Sequence, residues 1–215
     1  MRRFITFIIC ISALVLDSCE PAATFNKPQP DTLKSLTVFP EHIQGKYIAN
    51  DYASTVTITD KLITRYYDFD FKEHKDTLGT SYKLIGDTLI NLADSTKEKV
   101  FIKGDTIFQH FQGIDTLFNI SVDNVLKKFK GYYFLNSRYS ENAWEVKKLL
   151  LQKGRLTIGT ISNEDDIKKL KEITETTADT TSTHFTLTRR QFKKFIKQDG
   201  FAEQETFTRM TENGR

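Results

Sequence analysis

The chain has 215 residues and a formal net charge of +3, and 39% of its residues are hydrophobic. That apolar share can fill one sizeable core or two small ones. Phe and Tyr are plentiful while Gly and Pro are few, which favours a compact fold over a disordered chain. The charge is too mild to argue for nucleic acid as a partner.

Met1-Arg2-Arg3 is a short positive start, and Phe4 to Leu16 is an apolar run. Its 13 residues fall short of the roughly 20 needed to span a bilayer, so residues 1–18 read as a signal peptide. The segment ends Leu16-Asp17-Ser18-Cys19. This resembles a bacterial lipobox, with Leu three before the cysteine and a small residue one before it. Asp17 departs from the usual small residue. The resemblance implies cleavage before Cys19, acylation of its thiol and new amine, and attachment to a membrane. Each buried methylene adds about 0.8 kcal/mol, so two or three chains hold where one would not. The alternative is an ordinary secretory signal beside a chance cysteine. The cysteine count favours lipid. Cys10 leaves with the signal, and Cys19 then has no partner for an internal disulfide.

Residues 19–38 include Pro21, Pro28 and Pro30, which disfavour helix. They read as an extended tether that holds the folded part off the bilayer. Strand signals dominate from about residue 43. Thr55 to Thr59 alternates, with Val56 and Ile58 on one face. Asp60-Lys61 is a turn, and Leu62 to Phe71 follows with Ile63, Arg65, Tyr67, Phe69 and Phe71 on one face. Three aromatics mark that as the core face, with Arg65 near its rim. Gly86-Asp87, Gly104-Asp105 and the Gly113-Ile114-Asp115 stretch read as hairpin turns, each followed by a β-branched Thr. Their aspartates lack the alternate spacing of a calcium loop.

Ile43 to Asn50 weakly matches Phe129 to Asn136, each around a Gly-x-Tyr start. Residues 39–120 and 121–215 therefore read as two similar strand-rich halves, the second carrying helices. Three short helices are expected. Ser121 caps the first, with Val122, Val125, Leu126 and Phe129 on one face. Ser162 caps the second, acidic at its start and basic at its end. Thr188 and Gln191 form a capping box for the third, with Phe192, Phe195 and Ile196 as its apolar stripe and Gly200 as its stop. Thr174 to Thr183 reads as a mobile loop, and Glu203 to Met210 as a closing strand. The expected class is mainly β (α+β), with antiparallel meander sheets.

The histidines His42, His74, His110 and His184 lie in no metal-ligand spacing, and no cofactor motif is present. His110 and His184 sit in strands and are the candidates for a dispersed catalytic site. Arg189, Arg190, Lys193, Lys194 and Lys197 make the third helix a basic amphipathic one. Such a helix can lie on anionic head groups or simply pack its stripe on the core. Tyr66, Tyr67, Tyr132, Tyr133, Tyr139 and Trp144 are candidates for lining a groove.

The lipobox, the acidic Glu20 after Cys19 and the Gly-Asp-Thr-rich strands look like the small lipoproteins of the Bacteroidota phylum. So does the closing run from Phe192 to Phe207. That resemblance implies an address at the outer membrane, on either face, and no activity. The leading expectation is a non-enzymatic binding or scaffolding module of the envelope. An enzyme would need His110 or His184 beside a carboxylate in a pocket. A lipocalin-like carrier would need a closed barrel with an open apolar cavity.

Overall fold

Short β-branched and aromatic runs, separated by two-residue turns, fold this chain into antiparallel hairpins. The computed structural model describes residues 21–50, 53–175 and 183–210. Cys19 and the signal lie outside the described residues, as do positions 176–182 of the expected mobile loop. The first strands are β1 (Thr24–Phe25), β2 (Gly45–Ala49), β3 (Ser54–Ile58) and β4 (Leu62–His74). Next come β5 (Tyr82–Ile85), β6 (Thr88–Asn91), β7 (Lys97–Lys99), β8 (Phe101–Lys103) and β9 (Thr106–Asn119). Then follow β10 (Asn124–Phe129), β11 (Tyr132–Ser140), β12 (Ala143–Gln152) and β13 (Arg155–Thr160). The last elements are α1 (Glu164–Thr174), β14 (His184–Phe185), α2 (Arg189–Lys197) and β15 (Glu203–Arg209). The fold is mainly β and mostly antiparallel, as the sequence predicts.

One large sheet runs β10-β11-β12-β13-β15-β2-β3-β4-β9-β8. Two meanders, β11-β12-β13-β15 and β2-β3-β4-β9, follow one another across it in the same order. They begin at the matched Gly-x-Tyr segments. Tyr47 and Tyr133 are both buried in one cluster with Ile58, Ile63, Leu149 and Leu156, so the halves share a core. Leu126 on β10 and Phe118 on β9 meet in that cluster although their strands lie near opposite ends of the sheet. The sheet is therefore curled around it. The other face of β11 and β12 presents Phe134 and Val146 to a second core built from α1, α2 and β1. There Phe134 and Phe192 meet edge to face with centroids 4.9 Å apart.

The β4–β9 hairpin outruns its neighbours. β3 pairs with β4 only as far as Tyr67, whereas β4 and β9 stay paired out to His74 and Thr106. This arm carries β8 and a small sheet, β5-β6-β7, over a minor core of Leu89, Val100 and Ile107.

Several expectations change. The segment read as a tether is part of the folded body from residue 21 onward. Phe25 is fully buried, β1 pairs with β12 and β14, and Leu36 bridges to Leu126. Burying one such ring contributes about 2–3 kcal/mol. Prolines rule out helix there but not docking. Gln29, fully buried, is gripped by Asn136. Asn136 Oδ1 accepts from Gln29 N at 2.5 Å, and its Nδ2 donates to Gln29 O at 3.0 Å. Lys127 Nζ donates to the carbonyls of Pro28 and Pro30 at 2.8 and 2.9 Å. Burial holds the Lys127 ammonium below its usual pKa, and Asp31 offsets this only in part.

The helix expected after Ser121 is strand β10. Apolar residues at 122, 125, 126 and 129 fit a helix locally, but the Lys130-Gly131 turn folds β10 back on β11. Val122 is left exposed, and the Ser121 hydroxyl accepts from the Asp123 N–H in a turn. Gly86 and Gly104 do form hairpin turns with positive φ. Gly113 does not: it lies inside β9, paired with Tyr67. A Cβ there would sit 3.3 Å from the Phe111 ring, so its smallness makes room for aromatic packing.

α1 is capped by Asn163, whose side chain accepts from Asp166 N at 2.8 Å, and not by Ser162. α2 carries the predicted Thr188–Gln191 capping box. At its other end the left-handed residue is Asp199, while Gly200 is required by space. A Cβ on Gly200 would fall 2.5 Å from the Phe195 ring.

Candidate functional site

The curled sheet is filled at one end and open at the other. Its apolar interior is packed by Tyr47, Val56, Ile58, Ile63 and Phe118, with Phe39 and Ile43 closing the base. Past this plug the inward positions become polar or small: Ala49 on β2, Ser54 on β3, Arg65 on β4 and Glu205 on β15. They border an open groove of about 620 Å³ that continues onto the arm along Tyr67 and Phe69, with Phe207 opposite.

Arg65 organises this mouth. Val56 and Asp115 flank it on the neighbouring strands. Its guanidinium pairs with the Glu205 carboxylate through both terminal nitrogens, and Nη1 also donates to Tyr67 Oη at 3.3 Å. The group stacks over the Phe207 ring at 5.3 Å and the Tyr67 ring at 5.8 Å. Burial opposes the charge on Arg65, but the hydrogen bonds it donates to Tyr67 and Glu205 outweigh it and keep the guanidinium above its ordinary pKa. Arg65 Nε is buried without a partner. The same Arg65–Glu205 pair also lines a smaller recess of about 100 Å³ on its inner side, with Leu117, Leu135, Lys147 and Ile158. The pair therefore forms a partition of no net charge between the groove and the sheet interior.

Beyond the partition Tyr67, Phe69 and Phe111 form a ladder of rings, with centroids 6.2 and 5.3 Å apart. β4 thus turns its three aromatics to the groove and arm, where Phe71 is largely exposed, and gives the core only Ile63. The expectation of a core face held only for the first residue of that row. Chemically the groove offers aromatic surface, small side chains and a guanidinium already paired with a carboxylate. That suits a slender apolar or aromatic ligand, or one side of a peptide.

The other candidates lie elsewhere. His110 Nδ1 is 3.0 Å from Asp70 Oδ1, with Asp68 3.6 Å from Nε2. All three are exposed on the outer face of the arm and line none of the grooves. His184 Nδ1 meets Thr24 Oγ1 at 3.0 Å where β1 pairs with β14. His42 Nε2 is 3.2 Å from Tyr133 Oη, and His74 Nδ1 accepts from Asp76 N. Among the described residues no three His, Cys, Asp or Glu side chains are placed to hold a metal ion. Of the candidate aromatics only Tyr67 reaches the groove, while Tyr133 and Trp144 are core. No local signal marks Glu205 and Phe207, because only the β13-β15-β2 pairing carries them within reach of the Arg65 side chain.

Among the described residues no helix is long and apolar enough to cross a membrane. Comparison with known protein families, curated proteins and solved structures finds nothing that matches this chain, so the groove must be read from its own geometry.

Proposed function

We propose that this chain is a lipid-anchored protein of the bacterial envelope, held by acylated Cys19, whose folded part is a binding module with its site at the mouth of the curled sheet. One observation carries the binding reading: the open groove lined by Tyr67, Phe69 and Phe207 around the prearranged Arg65–Glu205 pair. Such a site needs little reorganisation to accept a ligand. Neither His110 nor His184 borders it, which favours binding over catalysis. A carrier of the lipocalin kind would store its cargo deeper, where this sheet is filled by Tyr47, Ile58 and Phe118. Anchoring itself rests on the Leu16-Asp17-Ser18-Cys19 segment.

The test compares wild type with Tyr67→Ala/Phe69→Ala as bait in solubilised native envelopes, with captured proteins and small molecules identified by mass spectrometry. A ligand retained by wild type and lost from the double variant is the expected result. Identical captures from both would refute the groove. Mass spectrometry of the native N-terminal peptide checks the anchor separately.

A further inference from the structure

One strongly charged surface lies apart from the groove, on α2. α2 buries Phe192 and Phe195 completely in the second core, so its apolar stripe is unavailable for insertion into a bilayer. Its opposite side carries Arg189, Arg190, Lys194 and Lys197, all exposed, and half-buried Lys193. Arg189, Arg190 and Lys193 turn with Lys130, from the β10–β11 turn, toward one concavity of about 510 Å³ floored by Phe129 and edged by Thr32. Among the described residues none of these cations is in an ion pair. The carboxylate beside the rim, Asp31, commits Oδ1 to the Thr32 N–H at 2.8 Å.

The same element lies next to the start of the folded body. β1 pairs in parallel with β14, which leads three residues later into α2, and the Phe25 and Phe192 ring centroids are 6.4 Å apart. Ala23 is already buried. Four residue steps from Cys19 to Ala23 span at most about 14 Å. An anchor at Cys19 thus holds the start of the folded body close to the head groups.

We propose that the α2–Lys130 surface is a docking face for anionic lipid head groups, so that the anchored domain lies on the membrane with this side down. The proposal rests on the lipid-anchor reading above. Juxtaposed unpaired cations and a short leash fit a negatively charged surface, to which each Lys or Arg adds about a fivefold preference.

The test uses the mature-length chain, residues 19–215, carrying Cys19→Ala so that no lipid contributes. Flotation is measured with phosphatidylcholine vesicles and with phosphatidylcholine–phosphatidylglycerol vesicles. Binding to the anionic vesicles only is expected, fading as salt shortens the Debye length. R189Q/R190Q/K193Q should lower the partition on the order of 100-fold. Its Thr188 cap and Phe192 are untouched, and a thermal melt checks its fold. Lys130→Gln, on a separate turn, should lower the partition about fivefold and keeps the test open if the triple variant misfolds. Equal binding to both vesicles, no binding to either, or Lys130→Gln and a folded triple variant both binding like wild type would overturn the docking face. Competition by inorganic phosphate beyond that of chloride at equal ionic strength would also overturn it, in favour of a free-phosphate site. Acylation of Cys19 in native protein is read by mass independently. A bare thiol with intact anionic binding would sink the anchor and spare the face.

Discussion

Replacing Asn136 by Ala would test whether the N-terminal segment is truly part of the fold. Asn136 is fully buried and holds Gln29 by both backbone groups, while also donating to the Val125 and Phe134 carbonyls at 3.0 and 3.2 Å. Alanine leaves the buried Gln29 N–H and C=O without partners. Each orphaned group costs about 1–3 kcal/mol, and water entering the space recovers part of that. A loss of about 3 kcal/mol is expected, or roughly 6–12 °C in Tm for a domain of this size. Urea titration measures the loss, and hydrogen exchange localises it: amides of residues 21–36 should exchange faster before any in β12 or β13. Asn50→Ala is the control. Asn50 occupies the matching place in the first half but is exposed, so its change should stay within about 0.5 kcal/mol. A loss below about 1 kcal/mol for Asn136→Ala, with unchanged exchange in residues 21–36, would refute the docked segment.

Gly200→Ala should cost about 2–3 kcal/mol in urea titration, because the new methyl meets the Phe195 ring at 2.5 Å and that ring is fully buried. A silent substitution would mean the α2 terminus relaxes freely. Ile107→Ala should remove about 2–4 kcal/mol from the minor core of the arm. Exchange should quicken across residues 78–103 while β11 to β13 stay protected, and uniform quickening would count against a separable arm. Lys148→Met addresses pH. Burial lowers the Lys148 ammonium pKa from 10.5, and Asp166 and Asp199 only partly restore it. The unfolded chain then keeps its proton to a higher pH than the folded one, so this residue's contribution to stability rises with pH through the folded pKa toward the unfolded value. Stability measured from pH 7 to 10.5 should therefore climb more steeply for wild type than for Lys148→Met. Parallel curves would refute the assignment.

What could be read in advance was local. Gly86 and Gly104 occupy positive-φ turns because few other residues do so cheaply, and Thr188 with Gln191 caps α2 through side chains three residues apart. What escaped was non-local. The Gly113-Ile114-Asp115 stretch has turn chemistry, yet pairing with Tyr66 and Tyr67 across the long hairpin keeps it extended. Val125, Leu126 and Phe129 suit a helix until β11 supplies an edge. Nothing near Gln29 announces Asn136, 107 positions away. Half the mouth was visible the same way. Arg65 and Tyr67 stood out on one strand, but their partner Glu205 lies 140 positions on.

The strand that joins the two meanders comes last in chain order among the described strands. β15 lies between β13 and β2, with Phe207 opposite both Leu156 and Ala49. A nascent polypeptide lacking residues 203–209 would hold one complete meander and one without its last strand, with bare edges on β13 and β2 where the keystone belongs, and no Glu205 to meet Arg65. Closure of the common interior must await those seven residues, so this topology delays cooperative folding until every other strand of the sheet has been synthesised. Removing residues 203–209 should therefore cost far more stability than their number suggests.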